Sequence, residues 1–127
     1  MILIYHHIAP AAQAPGGCNS NAEAALTLTP EQLDKQFQEL SRRGFRFVGL
    51  PELVSTIVRR GWEPWREVAV TFDDGWTDNH TYALPVLRRH NVPATFFVTT
   101  AHLHKTVPDA QVMDVSQLKD LLRCGMT

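Results

Sequence analysis

The sequence predicts a parallel α/β fold, and three observations carry that prediction. Short apolar runs alternate with segments of helical period along the chain, in the order strand, loop, helix, strand, helix, strand, helix, strand, helix. The most apolar run, Glu67 to Phe72, stops at two adjacent acids and a glycine, as strands of such folds do where they meet a ligand. At 127 residues, 44% hydrophobic and 20% charged, the chain has an ordinary globular balance and room for one domain at most. A parallel α/β sheet, or part of a barrel, accommodates all three.

Bulk properties exclude several function classes. The formal net charge of -1 gives no electrostatic case for nucleic acid or an anionic membrane. The two cysteines, Cys18 and Cys124, make no disulfide framework and are expected as free thiols. The opening run Met1-Ile2-Leu3-Ile4-Tyr5 lacks a basic flank and is too short for a signal-peptide core or a membrane span. No signal peptide is therefore read, and the compartment is left unassigned between a cytoplasmic protein and a chain that starts after an export signal.

Ile2 to Tyr5 reads as a short buried strand ending at His6 and His7. Ala9 to Leu28 is rich in Ala, Pro, Gly and Asn and is expected as a long surface loop, a lid or substrate rim on one reading and a tolerated insertion on the other. Thr29-Pro30-Glu31-Gln32 is a capping box with proline at the first helical position, Leu33, Phe37 and Leu40 share a face, and Gly44 stops the helix. Phe45 to Val48 is a second strand. Pro51 opens another helix, with Leu53, Val54, Ile57 and Val58 expected inward and Gly61 at its end. Trp62 and Trp65 flank a connector and are expected to cover the core's edge.

Glu67 to Phe72 is the strongest strand. Asp78 to His90 is helical, with Tyr82, Val86 and Leu87 inward, and Pro85 predicts a kink or a late start. Ala94 to Thr99 is a further strand after the Asn91-Val92-Pro93 break. Thr100 to Met113 is a loop carrying His102 and His104. Asp114 and Gln117 cap a last helix whose apolar face is Leu118, Leu121 and Leu122, and Gly125 ends it.

The chemistry sits in Val68 to Asn79. Asp73 and Asp74 end an apolar strand, where carboxylates are costly unless a cation or a proton relay uses them. Side chains alternate along a strand, so one acid can face a metal while its neighbour faces a reacting water, a division suited to metal-assisted hydrolysis. Gly75 lets the backbone pass close to a ligand. From these residues alone an Asp-Asp-Gly turn with capping duties fits as well. Magnesium-dependent phosphoryl transfer finds no Gly-rich phosphate loop or matching lysine to support it.

The flanks distinguish these readings. Thr71-Phe72-Asp73-Asp74-Gly75, with Asn79 four residues beyond the glycine, resembles the first motif of the polysaccharide deacetylases, the family-four carbohydrate esterases with a NodB-homology domain. Ala83 to Leu87 and Val92 to Val98 are similar to that family's next helix and strand. Ile4-Tyr5-His6-His7-Ile8 and the capped helix after Thr29 resemble its poly-N-acetylglucosamine deacetylase branch. The resemblance implies the front part of an irregular (β/α) barrel with parallel strands. It implies Asp73 as the general base, Asp74 as a metal ligand, and His6, His7, Gly75 and Asn79 as pocket residues. It also implies a divalent ion (zinc, with cobalt or nickel as alternatives), an amino-sugar polysaccharide as substrate, release of acetate, and action outside the cytoplasm. Of His6 and His7, His6 is expected near the pocket, against a hydrogen-bonded structural histidine, and which of the two points inward is left open.

The family's second motif, His-(Ser/Thr)-x-x-His, supplies two metal ligands and does not occur in residues 1–127. The expectation is therefore a partial domain with an incomplete metal site, prone to self-association through exposed barrel edges. A non-catalytic binding or assembly module is the alternative. His102 and His104 lie on a loop and are not favoured as substitute ligands, while His80 and His90 are expected to be solvated.

Overall fold

A computed structural model of the chain describes residues 1–11, 25–61, 64–102 and 112–127. Its centre is β5 (Glu67–Phe72), buried along nearly its whole length. β1 (Ile2–Tyr5) pairs with it in parallel along one edge, Tyr5 opposite Phe72. β4 (Arg46–Phe47) and then β6 (Ala94–Phe96) pair in parallel along the other, β4 at the start of β5 and β6 at its end. The backbone bonds explain the arrangement: Ala69 and Asp73 donate to Met1 and Tyr5, whereas the carbonyls of Arg66, Val68 and Phe72 accept from Arg46, Val48 and Phe97. A separate parallel pair joins β2 (His7–Ile8) to β3 (Thr27–Leu28). β3 lies inside the stretch expected as loop. Its apolar Leu28 sits next to the Thr29 cap, and its pairing partner is remote in sequence.

Among the described residues, four helices cover the sheet unequally. α1 (Pro30–Arg42) has the full Thr29/Gln32 capping box and buries Leu33 and Phe37. α2 (Leu50–Arg60) carries Pro51 in its first turn and ends at Gly61 in the left-handed region. Its inward face is Leu53 and Thr56, with Ile57 half-buried, whereas Val54 and Val58 are 48% and 78% exposed. The expectation for those valines fails because each sits one residue, about 100°, past the buried stripe. Asn79–Ala83 form a π-helical turn that runs into α3 (Leu84–His90), with Pro85 in the first turn of α3. Helical backbone is continuous from Thr77 to His90, so the expected late start at Pro85 is not found; the π-helical turn just before the proline is the irregularity instead. α4 (Val115–Arg123) has the Asp114/Gln117 box and buries Leu121, while Leu122 is 65% exposed and not part of the apolar face.

One sheet face, with Tyr5, Val70, Phe72, Ala94 and Phe96, packs on Leu33, Phe37, Leu84 and Leu87 in the main core. Tyr5, Phe72 and Phe96 stack in sequence at 5.4 and 4.9 Å between centroids. Each large side chain buried here contributes about 1.5–3 kcal/mol. On the other face Ala69 is sealed by Val48 and Leu53 and Thr71 is buried beside it, whereas Ile2, Ile4 and Phe97 remain 47%, 62% and 51% exposed.

β6 is shorter than expected, stopping at Phe96, although the Phe97 N–H still reaches the Phe72 carbonyl at 2.8 Å. Beside it, Thr127 donates to the Ala94 carbonyl at 3.0 Å and accepts from the Phe96 N–H at 2.7 Å, a parallel-strand pattern. Trp65 is 70% exposed with the Arg66 guanidinium over its ring at 4.1 Å, so it does not cover the core's edge. Cys124 is a half-buried free thiol. Cys18, Trp62, His104 and the side chain of His102 lie outside the described residues, as does the middle of the expected lid loop. Among the described residues no helix is long and apolar enough to cross a membrane.

Candidate active site

β1 and β5 end side by side, and the candidate site forms where they stop. The Asp73 N–H donates to the Tyr5 carbonyl at 3.0 Å, which carries the parallel ladder one residue past Phe72. The chain then turns sharply. The Gly75 N–H closes onto the Asp73 carbonyl at 2.9 Å around Asp74, whose φ is 69°. A bond across three residues centred on a positive φ is the strained form of the γ-turn. A non-glycine residue in this region costs about 1–3 kcal/mol and tends to be kept where a site needs the geometry. Gly75 follows at φ 78°, where a side chain is strained, and a Cβ there would crowd Val98 Cγ1 at 3.1 Å, so both the backbone and the packing favour glycine.

This turn places two neighbouring carboxylates half-exposed at a strand end. His6, the residue after β1, faces them: its Nδ1 lies 3.3 Å from Asp74 Oδ2 and its Nε2 4.0 Å from Asp73 Oδ2. His7 points elsewhere, as alternation along an extended chain requires. Its Nδ1 donates to Asp78 Oδ2 at 2.7 Å, and its ring stacks on Trp76 at 4.9 Å and 23°. Beneath them Tyr5, 7% exposed, donates its hydroxyl to Gln36 Oε1 at 2.8 Å, and burial pushes its pKa up to about 12.

Asn79 is fully buried and neither side-chain amide atom has a hydrogen-bond partner. Trp76 Nε1 and Asp78 Oδ1 are likewise buried and unpartnered. Unpaired polar atoms in a closed interior are costly, and here they crowd residues 76–79, which lead from the acids into a π-helical turn, the kind of irregularity that marks functional sites. The segment before α4 buttresses the loop from outside, through the Met113 N–H on the Gly75 carbonyl at 2.8 Å and an antiparallel bridge from Trp76 to Val112.

The structure thus brings His6, Asp73 and Asp74 together, seats His7 on the neighbouring Asp78, and buries Gly75 and Asn79 behind them. Asp78 and Trp76 were not singled out from the sequence, since their partner His7 lies 71 residues from Asp78. His80 and His90 are not solvated. They pair with Asp120 and Asp34, each at 3.0 Å, and tie their segment to α4 and α1.

The donor set decides what the site can hold. Catalytic zinc normally takes three protein ligands. Among the described residues no group of three or more His, Cys, Asp or Glu side chains is placed to hold a metal ion. Asp74 with His6 fits part of such a set and not the whole. What these residues can do unaided is accept a proton at Asp73 and hold charge at Asp74.

The family model for polysaccharide deacetylase matches residues 60–126. The chain is 28% identical over 101 residues to a poly-β-1,6-N-acetyl-D-glucosamine N-deacetylase of Staphylococcus epidermidis, covering 79% of this chain and 35% of that protein. It is 26% identical over 127 residues to the putative polysaccharide deacetylase YxkH of Bacillus subtilis, covering 99% of this chain and 39% of that one. Among solved structures, IcaB from Ammonifex degensii superposes with a TM-score of 0.81 at 26% identity, over 98% of this chain and 48% of that one. The Streptococcus pyogenes deacetylase PplD, solved with acetate, superposes with a TM-score of 0.74 at 28% identity, over 99% and 53%. The chain therefore spans between about a third and about half of the relatives it matches.

Proposed function

The chain belongs to the polysaccharide deacetylase family, and from that premise we propose that it serves metal-dependent removal of N-acetyl groups from an N-acetylglucosamine-containing polysaccharide, with release of acetate. The observation that carries this reading is the Asp73–Asp74 pair, held half-exposed at the end of β5 on a strained turn and faced by His6. Asp73 is the general base in this reading. It takes a proton from the water whose oxygen attacks the amide carbon, the C–N bond then breaks, and the freed amine must gain a proton. Asp74 is the carboxylate ligand of a divalent ion, zinc or else cobalt or nickel. Since the described residues do not complete a three-ligand set, the other ligands come from outside them. Such a polymer is met outside the cytoplasm.

The assignment of Asp74 is tested by joining residues 1–127, at Thr127, to the remainder of Ammonifex degensii IcaB. Thr127 already lies in parallel register beside β6, which makes it a natural junction. Calorimetric titration with zinc, cobalt or nickel should show one site in this chimera and loss of it in Asp74→Ala. Undiminished binding by folded Asp74→Ala would remove Asp74 from the ligand set.

A further inference from the structure

Two consecutive histidines each meet a carboxylate of the loop after β5, and the tighter of the two pairs lies outside the acidic doublet. His7 Nδ1 is 2.7 Å from Asp78 Oδ2, with side chains 12% and 20% exposed, whereas His6 Nδ1 is 3.3 Å from Asp74 Oδ2, with side chains 29% and 43% exposed. An ionised carboxylate only accepts, so the shared proton sits on His7 Nδ1. The stacking on Trp76 fixes the same ring through its face while Asp78 fixes it in its plane. Together the two contacts restrain both side-chain torsions of His7.

His6 precedes His7 directly, and neighbouring side chains of an extended chain point to opposite sides. Holding the His7 ring adds an anchor to the backbone between β1 and β2, which sets the direction of the His6 Cβ toward the acids. His6 has weaker ties of its own, one contact at 3.3 Å and one at 4.0 Å. Asp78 keeps its second oxygen buried without a partner, an arrangement that stability alone disfavours.

We propose that Asp78 is a positioning residue: by holding His7 it presents His6 to the Asp73–Asp74 pair. The proposal rests on the reading of that pair as the reacting site, and its test is geometric, so the two can fail separately. In the full chain, long-range proton–nitrogen spectra should show a proton on His7 Nδ1, and nuclear Overhauser contacts should join the His6 ring to the β-protons of Asp73 and Asp74. Asp78→Ala should lose those His6 contacts while the amide signals of β5 stay in place. Asp78→Asn, whose amide oxygen can still accept from Nδ1, should retain them. His7→Phe keeps a ring to stack on Trp76 without the hydrogen bond and should behave as Asp78→Ala, which covers the case in which that variant does not fold. A purely structural staple would lower stability yet leave His6 where it is. His6 contacts that persist in folded Asp78→Ala or His7→Phe overturn the proposal, whatever an acetate assay reports.

Discussion

Asp74 Oδ2 lies 3.3 Å from His6 Nδ1, a contact between residues 68 apart in sequence that exists only because β1 and β5 run parallel and stop together. Tyr5 pairs with Phe72, so the next residue of each strand emerges at the same level of the sheet. A register slip of one residue would turn His6 away from the acids and expose Tyr5 and Phe72. The candidate site and the core thus depend on the same pairing.

The strained turn gives the first prediction. Asp74→Gly relieves a positive φ and should raise stability by about 1 kcal/mol in urea unfolding, while removing the carboxylate that the proposed site needs. Gly75→Ala should do the opposite. It meets both the left-handed φ and Val98 Cγ1 at 3.1 Å, whereas Gly61→Ala has a similar φ with nothing within 4 Å. Gly61→Ala should cost about 1–2 kcal/mol, and Gly75→Ala clearly more. Equal losses for the two alanines would mean that Val98 gives way.

A second prediction concerns acid stability. The His90 hydrogen bond, and after it the Arg89 guanidinium, hold the Asp34 carboxyl below its ordinary value of 3.8. A lowered folded value stabilises the protein above that ordinary value, and the contribution disappears as pH falls through the lowered one. Asp34→Asn should therefore flatten the pH dependence of unfolding on the acid side and leave its shape at higher pH largely unchanged. Denaturant midpoints measured across the acid range check this, and an unchanged acid limb would contradict it.

The uncovered sheet face gives a third. Ile2, Ile4 and Phe97 are about half-exposed or more on the side where α2 packs against Ala69. An apolar sheet surface beside an unpaired strand edge favours association. Sedimentation should show mass rising with concentration, and Ile4→Lys should suppress it. A strictly monomeric wild type over the same range would count against this.

Much of the fold was legible because it depends on local chemistry. Both capping boxes and the stop at Gly44 are written in a few adjacent residues. The apolar run into Asp73 announced the central strand for the same reason. What was not legible depends on remote partners. Val54, Val58 and Leu122 are as apolar as their buried neighbours, and only the placement of the sheet decides that they face outward. β3 is two residues long and exists through its pairing with His7 and Ile8. His80 and His90 read as surface histidines until Asp120 and Asp34 are brought to them. In the candidate site, Asp73, Asp74 and Gly75 stood out by their adjacency and Asn79 by its spacing from them, whereas the pairing of Asp78 with His7 and the burial of the Asn79 amide without a partner are visible only in three dimensions.

The central claim is that Asp73 is the base of a deacetylation reaction, and acetate release tests it most directly. The chimera with the remainder of Ammonifex degensii IcaB is assayed on an N-acetylglucosamine oligomer with zinc, cobalt or nickel present, beside its Asp73→Asn variant. The account predicts acetate from the parent and a loss of about 10²–10⁴-fold in Asp73→Asn, with folding and ion binding retained. A folded, ion-loaded parent that releases no acetate, or an Asp73→Asn variant that releases it at the parent's rate, would contradict it.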